Sequence, residues 1–251
     1  YGNNLDISAT SKTDYIAQKG NPLYSRLDSS ALSQMIQKAI AGEKFDYEGS
    51  RAKAVVNIEN GSNLVAKNDV NLKSLAVANT TMTIKSMFAP TTDTTSEIYY
   101  TLGTKTISDV NVYSGAVITA DNDVNINAAS QNSQWIKIKN PTSVLGEIAG
   151  SKKIPNFQIT FLKSQLEADT NANVFNGAII NAKNLNVSAV NASNDLSVVN
   201  TIATVGDNMG VAIAVSIKDA DINTNAVLDT NVNTNSHGNV SVIAQNMHTE
   251  S

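Results

Sequence analysis

A chain of 251 residues is long enough for one or two globular domains, or for one repeat array with a continuous core. Its 41% apolar content and regular alternation argue against disorder. Its net charge of −4, with Arg26 and Arg51 the only arginines, argues against a surface that tracks phosphates and so against a nucleic-acid partner. The absence of cysteine removes disulfides, thiolate nucleophiles and zinc–thiolate sites together. Only 16% of residues are charged, and asparagine, present 33 times, fills much of the difference.

The first element is Asn4-Leu5-Asp6-Ile7-Ser8-Ala9, a short strand with one apolar face. It returns as Asp69-Val70-Asn71-Leu72-Lys73-Ser74, Asp123-Val124-Asn125-Ile126-Asn127-Ala128, Asn184-Leu185-Asn186-Val187-Ser188-Ala189 and Asn239-Val240-Ser241-Val242-Ile243-Ala244. The successive steps, Leu5 to Val70, Val70 to Val124, Val124 to Leu185 and Leu185 to Val240, are 65, 54, 61 and 55 residues. A period of that length marks a stacked architecture.

Residues 10–53 interrupt the rhythm. Within residues 29–42, Leu32, Met35, Ile36, Ala39 and Ile40 share one helical face, Asp28 or Ser29 can cap the start, and Gly42 can end it. The expectation is a short amphipathic helix in an insert at 18–44. It either covers the stack or meets a partner through Leu32, Met35, Ile36 and Ile40.

From residue 54 the repeated strand has matched companions. Apolar pairs come first: Val56 with Ile58, Val110 with Val112, Ala172 with Val174, and Ala226 with Leu228. Short strands at 61–66, 115–120, 177–182 and 231–236 follow. The links between them are too short for a helical crossover and suit a chain that turns corners around a parallel β-helix. Longer alternating stretches at 81–84 and 98–102, 135–138 and 157–161, and 196–198 and 211–217 flank inserts at 89–97, 140–155 and 206–208. Residues 144–149 are a weaker helical candidate. The repeat reads as two coils of differing size; the alternative is one elongated coil whose longer strands face each other.

Asn4, Asn68, Asn122, Asn184 and Asn239 stand one or two residues before each repeated strand. At stacked corners such amides can bond up and down the stack, so they read as a structural ladder rather than a row that binds sugar or ice. The densest carboxylate pairs are Asp121 with Asp123, Glu167 with Asp169, and Asp219 with Asp221; they fall at scattered phases of the repeat, and no arginine follows Arg51. His237 and His248 have no evident nucleophile partner. No catalytic residue is assigned. No Gly-Gly-x-Gly-x-Asp nonapeptide is present, so no metal or cofactor is expected. Residues 209–217 have the length of a bilayer-crossing β-strand, but a crowded core strand is the plainer reading. No run of 18 apolar residues exists, so no transmembrane helix is expected. The opening lacks a signal peptide and lies almost on a repeat strand, which reads as a segment of a longer protein.

The units Asn-Leu-Asn-Val-Ser-Ala (184–189), Gly-Ala-Ile-Ile-Asn-Ala (177–182) and Gly-Val-Ala-Ile-Ala-Val-Ser-Ile (210–217) resemble repeats of very large bacterial exoproteins. The likeness is to the filamentous-haemagglutinin-like group, fusobacterial leukotoxins and related adhesins among them. It covers most of 54–251 and the first ten residues, but not the insert at 18–44. The resemblance implies a right-handed parallel β-helix and export to the medium or the outer-membrane surface. It also implies toxic or adhesive action on host cells through a leukocyte receptor or glycan. No catalytic residue carries over. The whole chain, 1–251, is then one non-enzymatic β-helical segment continuing into neighbouring coils. The alternatives are a polysaccharide-cleaving enzyme on the same fold and a pore-forming fragment.

Overall fold

The computed structural model describes residues 3–20, 48–85, 95–139, 157–199, 211–229, 233–236 and 238–251. These residues form strands joined by tight corners, and no helix occurs among them. The first circuit contributes β1 (Leu5–Gly20), β2 (Glu48–Ile58) and β3 (Asn63–Ala66). The next three contribute β4 (Val70–Lys85), β5 (Thr95–Val112) and β6 (Val117–Ala120); β7 (Asp123–Lys139), β8 (Phe157–Val174) and β9 (Ile179–Ala182); and β10 (Asn184–Val199), β11 (Val211–Leu228) and β12 (Asn233–Ser236). Strand β13 (Val240–Glu250) begins a fifth.

Three parallel sheets result. The first is ordered β1-β4-β7-β10-β13, the second β2-β5-β8-β11 and the third β3-β6-β9-β12. Each circuit adds one strand to each sheet, which is a parallel β-helical arrangement. Leu5 pairs with Val70, Val70 with Val124, Val124 with Leu185, and Leu185 with Val240. Neighbouring repeats are therefore neighbouring strands, and the two-coil reading is corrected: each repeat is one elongated coil. The expected short strands at 70–74 and 81–84 are one continuous strand, β4, and the same fusion makes β7 and β10.

Two of the expected insert boundaries are also displaced. Strand β1 runs through residues 18–20 and β2 starts at Glu48, so pairing with β4 claims the beginning of the region assigned to an insert at 18–44. Strand β5 starts at Thr95, inside the insert expected at 89–97. The helices expected at 29–42 and 144–149, with Leu32, Met35, Ile36 and Ile40, lie outside the described residues. No described helix is long and apolar enough to cross a membrane.

The core lies where the three sheets meet. Val70, Leu72, Val124, Ile126, Leu185 and Val187 of the first sheet face Val110, Val112, Ala172 and Val174 of the second and Ile118 and Ile180 of the third, all at most 1% exposed. Alternation at period two puts these residues inside and their neighbours outside. Farther along the long strands a second apolar cluster joins Met82, Leu102, Ile136, Ile138 and Leu162. At the corner, the rings of Tyr113 and Phe175 stack with centroids 5.2 Å apart.

Candidate functional site

Between these two apolar clusters the interior changes along the stack from a patch of alanines, Ala52, Ala54, Ala76 and Ala78, to polar side chains. The inward positions read Ala76, Ala78 and Thr80 on β4, then Ser130, Asn132 and Gln134 on β7. They continue as Asn191, Ser193 and Asp195 on β10 and as Asn246, His248 and Glu250 on β13. In the interior a polar side chain is tolerable where it has a partner. Thr104 Oγ1 donates to Thr80 Oγ1 over 2.8 Å, and the hydroxyls of Ser130 and Thr170 bond across the two long sheets. Ser130 Oγ donates to Asn191 Oδ1 over 2.8 Å, and Asn191 Nδ2 donates to Asn246 Oδ1 over 2.8 Å. The interior therefore ties coil to coil as well as sheet to sheet.

Asp195 is the buried charge of this network, 4% exposed. Ser164 Oγ on β8 donates to its Oδ2 over 3.4 Å, and Ser197 Oγ to its Oδ1 over 3.3 Å. Loss of solvation holds its carboxyl above the ordinary carboxylate range; Lys218 offsets part of this, and Glu250 adds to it. Lys218 Nζ lies 3.7 Å from Glu250 Oε1 and donates to the Ser251 carbonyl over 2.7 Å. His248 Nε2 is 4.0 Å from Glu250 Oε2. The register sets Ser193 beside His248, yet the Ser193 hydroxyl is directed to Asn191 Oδ1 over 3.0 Å. The cluster binds coil to coil and sheet to sheet through these bonds.

The outer faces carry a second set of ladders. Asn71, Asn125 and Asn186 donate in succession to Asp6, Asn71 and Asn125 over 2.8, 2.9 and 2.8 Å. On the second sheet Asn111 donates to Asn57 over 3.1 Å and Asn173 to Asn111 over 3.0 Å. The asparagines singled out from the sequence lie nearby. Asn184 donates to Asp123 Oδ1 over 2.7 Å, and Asn239 N–H donates to Asn184 Oδ1 over 3.0 Å. Asn68 and Asn122 sit one residue earlier, at the corner, where the Asn122 N–H donates to the Asn68 carbonyl over 3.0 Å. Asn4 is exposed at the foot of the first strand.

The carboxylate pairs face outward or lie at corners. Arg51, Lys105, Glu167 and Asp221 form one column across the second sheet, in which Lys105 Nζ is 2.6 Å from Glu167 Oε2. Asn223 Nδ2 reaches both Asp169 and Asp221 at 3.3 Å. Asp123 belongs to the asparagine ladder, while Asp121 and Asp219 are exposed. Among the described residues no group of three or more His, Asp or Glu is placed to hold a metal ion. His237 lies outside the described residues. Sequence reading missed Asp195 and Lys218; the available signal was the parity of Asp195, ten residues past Leu185 and therefore inward.

Comparison with protein-family models, curated proteins and solved structures gives no match.

Proposed function

We propose that this chain is a non-enzymatic segment of a large secreted or surface-displayed bacterial leukotoxin or adhesin. In this reading it is a right-handed parallel β-helix that acts as a stiff scaffold and carries host-cell contacts. The observation that supports the scaffold role is the unbroken one-coil register, laced inside by Ser130, Asn191 and Asn246 and outside by Asn71, Asn125 and Asn186. A slip of one residue would turn every inward side chain outward and break both lacings.

Support for the contact role comes from topology. Strands β1, β4, β7 and β10 all run in register toward one edge of the first sheet. The segments at 21–47, 86–94, 140–156 and 200–210 each leave from that edge, so the variable sequence starts from one side of a constant stack. Deleting residues 28–42 from the purified segment leaves the stack folded and reduces its binding to leukocytes. Unchanged binding would remove the insert from the account.

The rival reading is a polysaccharide-cleaving enzyme on the same fold. It draws on the row of Lys105, Glu167 and Asp221 across adjacent coils, with Asp169 in the next column, because such chemistry uses carboxylates with basic partners. A screen of acidic polysaccharides for newly formed reducing or unsaturated ends decides between them. Turnover abolished by Asp→Asn at 121, 123, 219 or 221 would establish the rival.

A further inference from the structure

The outer face of the first sheet has one column that is not an asparagine ladder. Register aligns Ile16, Thr81, Trp135 and Leu196 on four successive strands, all pointing away from the core. At about 4.8 Å per strand the column spans about 14 Å along the stack axis. Trp135, the single tryptophan of the chain, is 43% exposed and Ile16 is 76% exposed. The half-exposed indole shares this column with the apolar Ile16 and Leu196.

The polar groups beside it also differ from their counterparts. In the adjoining column Asn79 Nδ2 is committed to Asp14 Oδ1 over 2.7 Å. Above it, Ser133 and Asn194, which flank Trp135, make no side-chain hydrogen bond among the described residues, and neither does Gln131. The coil-to-coil ladder thus stops where the indole projects. On its other side stand Thr83, Lys137 and Val198. The surroundings are amides and hydroxyls, with Lys137 on one side and, in the Gln131 column, Lys12, which lies 3.7 Å from the Asp14 carboxylate.

We propose that this column is a carbohydrate-binding surface on which a neutral oligosaccharide lies along the stack axis. The apolar C–H face of a sugar ring stacks on Trp135, its neighbours extend over Leu196 and toward Ile16, and its hydroxyls meet Ser133, Asn194 and Gln131. A flat apolar ring edged by uncharged donors and acceptors matches the two-sided chemistry of a pyranose. The proposal gives a ligand class to the host-contact reading, and it uses the described sheet rather than the inserts, so either can fail alone.

The test uses Trp135 as its own reporter. Neutral cello-, chito- and galacto-oligosaccharides are titrated into the full chain while indole fluorescence is followed, and calorimetry measures affinity for any that respond. The expected result is saturable quenching with a blue shift for at least one series. Trp135→Ala then weakens binding on the order of tenfold or more, Trp135→Phe restores part of it, and Asn194→Ala lowers it several-fold. All variants should keep the β-sheet circular dichroism of the parent, because these side chains face outward. No response to any saccharide, or equal affinity in Trp135→Ala, would overturn the proposal. A shift produced by an apolar peptide and by no saccharide would overturn it too, and would mark the column as a protein contact.

Discussion

Asn186 Nδ2 donates to Asn125 Oδ1 over 2.8 Å, although 61 residues separate them. Asn125 in turn donates to Asn71 over 2.9 Å, so one side chain links three coils. Its removal deletes two bonds of about 0.5–1.5 kcal/mol each. Asn125→Ala is expected to cost about 1–2 kcal/mol in denaturant unfolding. Asn127→Ala, two residues along the same outer face, has no such bonds and is expected to stay within about 0.5 kcal/mol. Equal effects would show that the ladder carries no stability.

Asp195 sets a pH dependence. Its folded carboxyl sits above the ordinary range because burial disfavours the anion, so the native state holds the proton more tightly than the unfolded chain. Its contribution is therefore full at low pH and is lost as pH rises through the raised folded value. Asp195→Asn should raise the unfolding midpoint at pH 7 and leave it nearly unchanged at about pH 4, near the unfolded carboxylate value. Destabilisation at pH 7 would mean that Lys218 compensates the charge fully.

The corner glycines offer a paired comparison. Gly61 and Gly115 both have positive φ, 79° and 77°. A side chain at Gly61 would meet nothing, whereas one at Gly115 would strike Asn60 Oδ1. Gly61→Ala is expected to cost about 1–2 kcal/mol from backbone strain alone, and Gly115→Ala more. Thermal unfolding of the two variants separates strain from crowding.

Stability should also be graded along the stack, as in other repeat arrays. Ile126 is fully buried in the third coil, whereas Val242 on β13 is 45% exposed. Ile126→Ala is expected to cost about 2–5 kcal/mol and Val242→Ala less than about 1 kcal/mol. Amide hydrogen exchange should show the same order, with β13 opening before β7.

The register was readable from residues alone. The strand openings at Leu5, Val70, Val124, Leu185 and Val240 are the register partners in the first sheet, because inward apolar pairs recur at each. The number of coils was not. In β7 the inward residues between Ile126 and Ile136 include Ser130, Asn132 and Gln134, so the apolar alternation disappears there and one 17-residue strand reads as two short ones. Asp195 was obscured for the same reason: an inward carboxylate among Asn and Ser looks like a turn until the register places it opposite Ser164. Trp135 was read as an ordinary strand residue, since only the parity of the continuous strand turns it outward.

The most direct test of the one-coil architecture is the distance between spin labels at Asp6 and Ser241, on cysteines introduced into a chain that has none. These residues lie in one outward column, on the first and last strands of the five-stranded sheet. Four strand spacings put their backbones about 19 Å apart, whereas two coils per repeat would put them about 38 Å apart. A pulsed dipolar distance centred near the shorter value, allowing for the label arms, is the predicted result. One centred near the longer value would contradict the account.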